Sequence, residues 1–462
     1  MQFLNTINDN LWSIVIVLLI GCAVYFTFRS KAVQFSMIRE MVKVMFGIEG
    51  KKKMPDRHRI GSFKAFSVSL ASRVGTGNLA GVASALFVGG PGAVFWMWVM
   101  ALFGAATAFV EATLAQLYKR RGPDSFYGGP AFYIESGLHK RWMGILYAVL
   151  ITLTFGVANQ MVQSTTITDA VMTTFGIRKI YMGIVMAAIF MFTIVGGINR
   201  ISNFSSRIVP LMAVFYIILA ITVLFINYQF IPAMFRTIFE SAFGINQAAG
   251  GMVGVAVQQG IRRGLFSNEA GEGSAPNAAA IADASHPVKQ GLLQALGVFV
   301  DTIIICTCTA MIILISGVDL KSADGIILTS NALEAVVGPA GSMFITIAVI
   351  LFAYSSIVAN YYYGETNIRF ISKKPVYVTI FRILSCGIVL VGSIVNLQTA
   401  FGFVDIFMGL MTIVNLIAIL KLSKLVWILL NDYKEQKKSG RDPEFKKNIL
   451  SDDIAKDVET WD

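Results

Sequence analysis

The chain has 462 residues, of which 55% are hydrophobic and only 14% charged, and its mean hydropathy is +0.67. A water-soluble domain of this size carries nearer a quarter charged residues, so a soluble globular fold is excluded and an all-α membrane protein is expected. The formal charge of +11 does not indicate a nucleic-acid partner, because the basic residues stand beside long apolar blocks, as they do at the cytoplasmic ends of membrane helices.

A run of about 20 apolar residues crosses the hydrocarbon core. Taken in chain order, the apolar blocks predict eleven spans, at 11–28, 61–88, 93–117, 141–174, 181–198, 208–228, 248–285, 289–316, 341–368, 376–396 and 399–430. The first is followed by a basic loop rather than a small-residue cleavage site, which predicts a retained helix and not a signal peptide. In 29–60, Arg29, Lys31, Arg39, Lys43, Lys51, Lys52, Lys53, Arg57 and Arg59 face three acids. This loop is expected in the cytoplasm, with the N-terminus outside. Alternation from there puts Lys119, Arg120, Arg121, Lys140 and Arg141 inside, then Arg200 and Arg207, then Arg369, Lys373 and Lys374. The acidic loop 317–340 falls outside, and Arg178 with Lys179 is the exception. The expected location is the cell inner membrane, C-terminus inside, with the polar tail 431–462 a cytoplasmic helix followed by disorder.

Cys22, Cys306, Cys308 and Cys386 lie inside apolar blocks and read as small core residues. His58, His139 and His286 lie in loops or at helix ends, so a metalloenzyme is not expected, nor is any resident cofactor.

Two spans are interrupted. The second contains SRVGTGN at 72–78 and the seventh GLFSNEAGEGS at 264–274. Glycines, hydroxyls and charges at membrane depth are costly unless the backbone there lines a cavity. An unwound segment frees carbonyls for a cation and amides for an anion, with half-helix N-termini adding positive potential. Each break opens a set of five spans, 61–228 and 248–430, the first entering from the cytoplasm and the second from outside. Residues 1–60 then form an extra helix and basic loop, and 229–247 an extracellular connection. An inverted repeat with paired broken helices indicates a transporter. The structural alternative for either glycine cluster alone is close helix packing.

The runs SLASRVGTGNLAGVA, GGPGAVFWMWVMALFGAATAFVEATLAQLYKRR and GIRRGLFSNEAGEGSAPNAAA resemble the alanine-or-glycine:cation symporter family over almost the whole chain. The resemblance implies the five-plus-five inverted-repeat fold shared with neurotransmitter–sodium symporters, and sodium-driven uptake of alanine, glycine or a related amino acid. By that analogy the amides around Gly75, Thr76, Gly77 and Asn78 receive the substrate carboxylate. Phe266, Ser267 and Asn268 of the second break complete the substrate site. The carbonyls of Ala71 and Val74, with the hydroxyls of Ser355 and Ser356, are implied as sodium ligands; the alternative for the serines is a bond to their own helix. Gln163 is similar to a substrate-facing glutamine of the family, its amide suiting a zwitterion, with interhelical bonding as the alternative.

Arg73, Glu269 and Asp301 are candidate coupling or gating charges. Asp301 is expected first in a fixed bridge to Arg73, Arg262 or Arg263, and otherwise as a proton carrier. Glu111 is expected near the cytoplasmic end, without a role. Where many members of the family carry Gly-Trp after the hydroxyl pair, this chain has Ala359-Asn360, and it has Thr165 where an Asn is commoner. The smaller Asn360 is expected to open the pocket to a longer polar side chain, glutamine foremost, unless it merely bonds a neighbouring helix. A channel would need a continuous polar pore, and an intramembrane enzyme a nucleophile–base pair or carboxylate dyad. Polarity concentrated at two breaks suits an occluded transport site better. Oligomeric state is not legible in the sequence.

Overall fold

The computed structural model describes residues 2–47, 60–122, 125–244 and 250–461. Helix α1 (Gln2–Arg29) ends at its first basic residue. Lys31 and Ala32 then turn the chain through left-handed conformations into two short helices, α2 (Val33–Ser36) and α3 (Ile38–Met45). The first broken element follows: α4 (Ser62–Arg73), an unwound step, a π-helical stretch (Gly77–Gly81) and α5 (Val82–Gly89). Helix α6 (Gly92–Leu117) leads to a hairpin, β1 (Arg120–Arg121) paired antiparallel with β2 (Phe126–Tyr127), and to α7 (Pro130–Leu138). Then come α8 (Arg141–Leu153), joined through a π-helical stretch to α9 (Asn159–Phe175), α10 (Lys179–Ile194), α11 (Gly197–Ile226) and α12 (Ile231–Phe243).

The second half begins with α13 (Gly250–Asn268), a break, and the single-turn α14 (Ala275–Ala279). Helix α15 (Pro287–Val298) runs through a π-helical stretch (Phe299–Cys306) into α16 (Thr307–Ile315), followed by α17 (Ile326–Val337) and α18 (Pro339–Ile371). The last elements are α19 (Pro375–Gly392), α20 (Leu397–Lys438) and α21 (Asp452–Ala455).

Among the described residues, eight helical segments are long and apolar enough to cross a membrane: α1, α6, α8–α9, α11, α15–α16, α18, α19 and α20. The other three expected spans are the short α10 and the two broken elements, which no single long apolar helix represents. The α10, α11 and α19 faces leave Ile184, Ile189, Phe192, Phe215, Ile221 and Ile383 exposed, as suits side chains that meet lipid. By contrast every residue from Ala65 to Leu86 is buried, so the first broken element runs through the middle of the bundle.

Two connecting segments prove helical, and two expectations are corrected. The connection 229–247 contains α12, and the loop 317–340 contains α17. The inner half of the expected 248–285 span is not a membrane-length helix, because α14 is one turn and the chain runs irregularly from there to Pro287. The tail is ordered rather than disordered. After Lys438 it folds back, the Phe445 amide donating to Ser285 O at 2.9 Å and the Trp461 indole to Gln116 O at 3.0 Å. Lys289 pairs with Asp442 at 2.5 Å, and the Lys119 ammonium lies 4.5 Å from the Trp461 ring. Phe445 and Trp461, their rings 5.2 Å apart, are buried with Leu450 and Val458 and give this polar segment apolar surface to dock.

Candidate functional site

The first break releases backbone groups through glycine. The Gly75 amide, which would continue α4 onto Ala71 O, instead reaches Arg73 O and Asn78 Oδ1, both at 2.9 Å. The Thr76 amide donates to the side-chain carbonyl of Gln163 at 3.1 Å. Gln163 in turn donates to Asn159 Oδ1 at 2.9 Å. Two amides of the break thus hold side-chain carbonyl oxygens, the kind of partner a substrate carboxylate would replace with a stronger, charged acceptor. Gln163 faces the break. Thr165 does not: it donates to Val395 O at 2.8 Å, away from the site.

The freed carbonyl of Ala71 faces α18. Ser356 Oγ donates to it at 2.8 Å and has Phe352 O of its own helix as a second acceptor at 3.1 Å. Ser355 Oγ donates to Phe352 O at 2.8 Å. A hydroxyl that donates to its own helix keeps its lone pairs for another partner. If Ser356 turns onto Phe352 O, it presents a lone pair beside the Ala71 carbonyl, and a cation between them meets only neutral oxygens. Gly75 fits here because a β-carbon would collide with the Ser356 hydroxyl. Val74 is the buried residue at which the helix stops, with ψ at 81°.

The second break crosses the first at Gly77. A β-carbon there would stand 3.0 Å from the Ser267 Cα and 3.3 Å from the Phe266 ring, so the bare glycine allows the close approach. Asn268 caps its own break, accepting from the Ala270 amide at 3.0 Å and donating to Thr302 at 3.2 Å. The chain then turns through Glu269, Gly271 and Gly273, all at positive φ. Phe266 packs edge-on against Phe401, with the ring centroids 5.3 Å apart.

Among the described residues Asp301 makes no bridge to arginine, which corrects the sequence reading. Its carboxylate accepts from Asn78 Nδ2 at 2.6 Å, Ser267 Oγ at 2.7 Å and Thr302 Oγ1 at 2.9 Å, so it ties the two breaks together. Arg263 pairs instead with Asp405 at 2.6 Å, and Arg262 approaches Asp405 and Asp9 at 3.5 Å each. Arg73 donates to Gln294 O at 3.0 Å, while its Nε and Nη2 have no partner among the described residues.

A second polar cluster lies beside the 269–274 turn. Glu269 accepts from Ser72 and, at 2.6 Å, from Ser274, whose oxygen is also 2.7 Å from Glu272. Asn360 belongs here: its side-chain amide lies 2.8 Å from Ser72 Oγ, whose one proton goes either to it or to Glu269, while its Nδ2 has no partner among the described residues. Glu111 is not a helix-end acid. It is fully buried and accepts from the Gly271 amide at 3.2 Å and Asn415 Nδ2 at 2.8 Å, bracing the turn. Sequence reasoning missed Ser72, Ser274, Asp405 and Asn415. For the last two the signal was present, as isolated polar residues inside the apolar block 399–430.

The sodium:alanine symporter family model matches residues 1–447. The chain belongs to the sodium:alanine symporter family. It is 48% identical to the probable sodium/glutamine symporter GlnT of Bacillus subtilis (strain 168), over 98% of this chain and 94% of that protein. It is also 48% identical to the amino-acid carrier protein AlsT of the same organism, over 100% of this chain and 97% of that one. The sodium/alanine symporter AgcS of Methanococcus maripaludis is 37% identical, over 92% of this chain and 95% of its own. Among solved structures, a substrate-bound, outward-open Na+-coupled sialic acid symporter aligns with a TM-score of 0.55 at 15% identity, over 94% of this chain and 97% of that one. MhsT in complex with L-phenylalanine aligns with 0.51 at 14%, over 89% and 97%. The fold is therefore the inverted-repeat fold of these transporters, and the symporter is a multi-pass membrane protein coupling sodium to amino-acid transport.

Proposed function

We propose that this symporter takes up small neutral amino acids, alanine, glycine and glutamine among them, by alternating access with sodium as the coupling ion, and that it is not an enzyme. The observation that carries the reading is the Ser356 hydroxyl lying 2.8 Å from the Ala71 carbonyl where the first helix unwinds. Ala71, Val74, Ser355 and Ser356 would supply neutral oxygens to sodium. The amides of Gly75, Thr76 and Gly77 would take the substrate carboxylate once Gln163 and Asn78 yield them, and Gln163, Phe266 and Ser267 would border the rest. Asn268 and Asp301 would hold the breaks in shape. The repeats are 61–228 and 248–430, and the basic loops favour the inner membrane with the N-terminus outside.

Uptake of labelled alanine, glycine and glutamine into proteoliposomes, with and without a sodium gradient, tests this; substrate accumulation indifferent to sodium would overturn it.

One observation favours a proton as a further or alternative coupling ion. The Ser274 hydroxyl lies within hydrogen-bonding distance of both Glu269 and Glu272, yet it has one proton to give, so a proton carried on one of the two carboxyls would satisfy both contacts. Substrate-driven acidification of the vesicle lumen, followed with an internal pH dye, would support that reading, and its absence would remove it.

A further inference from the structure

Helices α2 and α3 lie at the foot of α1 and fall outside everything argued above. Glu40 docks them: it accepts from Tyr433 Oη at 2.7 Å and pairs with Lys437 Nζ at 2.8 Å, both on the extension of α20. Met41 and Val44 are buried on one side of α3. Phe35, Ile38, Val42 and Phe46 are left exposed. Ile38 and Val42, one turn apart, share the free face of α3, with Phe35 on α2 before it and Phe46 just past its end, so large apolar side chains flank the helix on its exposed side. Such a helix, apolar on its free face and basic beside it, lies in the plane of a membrane surface.

Beside these side chains is a groove of about 310 Å³ lined by Ser36, Met37, Arg39, Glu40, Lys434, Lys437 and Lys438. Glu40 is committed to Tyr433 and Lys437. Arg39, Lys434 and Lys438 pair with no carboxylate among the described residues, and Lys31 and Lys438 both repel the Lys434 charge. The apolar run of α1 ends at Arg29, and its last turn lies level with Trp427 of α20, the Phe26 and Trp427 ring centroids 6.1 Å apart, past the point where Lys421 and Lys424 interrupt α20. The cations therefore stand just beyond the hydrocarbon boundary, at headgroup depth.

We propose that this groove binds the phosphodiester headgroup of an anionic phospholipid, with Arg39, Lys434 and Lys438 holding the phosphate and the acyl chains lying along Phe35, Ile38, Val42 and Phe46. The apolar side chains next to the cations select a lipid over a free anion. Cation clusters at a membrane face recognise acidic headgroups in this way. On the orientation proposed above, the lipid belongs to the cytoplasmic leaflet.

The test uses the full-length protein in detergent, titrated with phosphatidylglycerol, phosphatidylcholine or inorganic phosphate and read by native mass spectrometry. Wild-type protein should retain phosphatidylglycerol over phosphatidylcholine, and millimolar inorganic phosphate should not displace it. Each lost charge should weaken retention about fivefold, so the Arg39→Gln, Lys434→Gln, Lys438→Gln triple variant should lose the preference. Lys438→Gln alone, at an exposed position, should show the single step, and keeps the test available if the triple variant is unstable. Undiminished phosphatidylglycerol retention in the variants, equal retention of both lipids by wild type, or displacement by inorganic phosphate would each overturn the proposal.

Discussion

Replacing Ser356 by Ala removes a hydroxyl that is fully buried and 2.8 Å from the Ala71 carbonyl, without adding volume. If that hydroxyl is a sodium ligand, its loss costs about 1–3 kcal/mol, the value of a buried polar contact left unmade. At a factor of ten per 1.4 kcal/mol, the sodium concentration giving half-maximal uptake should rise by about 5- to 150-fold. Ser355→Ala should act in the same direction. Among the described residues its hydroxyl contributes only a bond to its own helix, at Phe352 O, so a purely structural role would leave the sodium dependence untouched. The assay is initial-rate uptake of labelled alanine in proteoliposomes across a sodium series, with insertion checked by the amount of folded protein in the membrane. Sodium half-saturation within twofold of wild type in a well-inserted Ser355→Ala, Ser356→Ala double variant would refute the assignment.

Gly77→Ala should reduce amino-acid uptake tenfold or more while leaving the protein inserted, since the new carbon meets the Ser267 backbone at 3.0 Å; normal transport would make the crossing a mere packing feature. Asn360→Trp should remove competition by glutamine for labelled alanine uptake while sparing alanine, and wild-type protein that ignores glutamine would sink the enlarged-pocket idea. Asp405→Ala leaves Arg263 buried without its 2.6 Å partner and should destabilise the protein by about 3–5 kcal/mol, visible as a lowered midpoint of thermal unfolding in detergent. Trp461→Ala should free the tail, seen as faster proteolytic clipping within 439–461; unchanged protection would mean that Phe445 and the Lys289–Asp442 pair hold it unaided.

The breaks were legible because they violate a strong rule. Glycine, hydroxyl and charge do not interrupt a membrane helix without reason, and SRVGTGN and GLFSNEAGEGS do so in matching places. The glutamine one turn into α9 and the serine pair of α18 could be picked out by the same contrast with their apolar neighbours. Partner choice was not legible. Asp301 looked like one half of an ion pair because arginines were available, yet it bonds Asn78, Ser267 and Thr302, while Arg263 finds Asp405 from a span where the sequence had drawn no attention. Glu111 looked peripheral by its place in a helix, but the turn of the second break comes to it. The tail looked too polar to fold, yet Phe445, Leu450, Val458 and Trp461 are buried as it docks.

By itself the sequence determined the class of solvent, the helical class, the two unwound segments and the family, because hydropathy and local backbone chemistry act on neighbours along the chain. Only the tertiary structure decided which carboxylate meets which donor, that Asn360 sits against Ser72, and that Gly77 lies against Ser267. Those contacts join residues far apart in the chain, and the crossing of two broken helices fixes them, which no local pattern encodes.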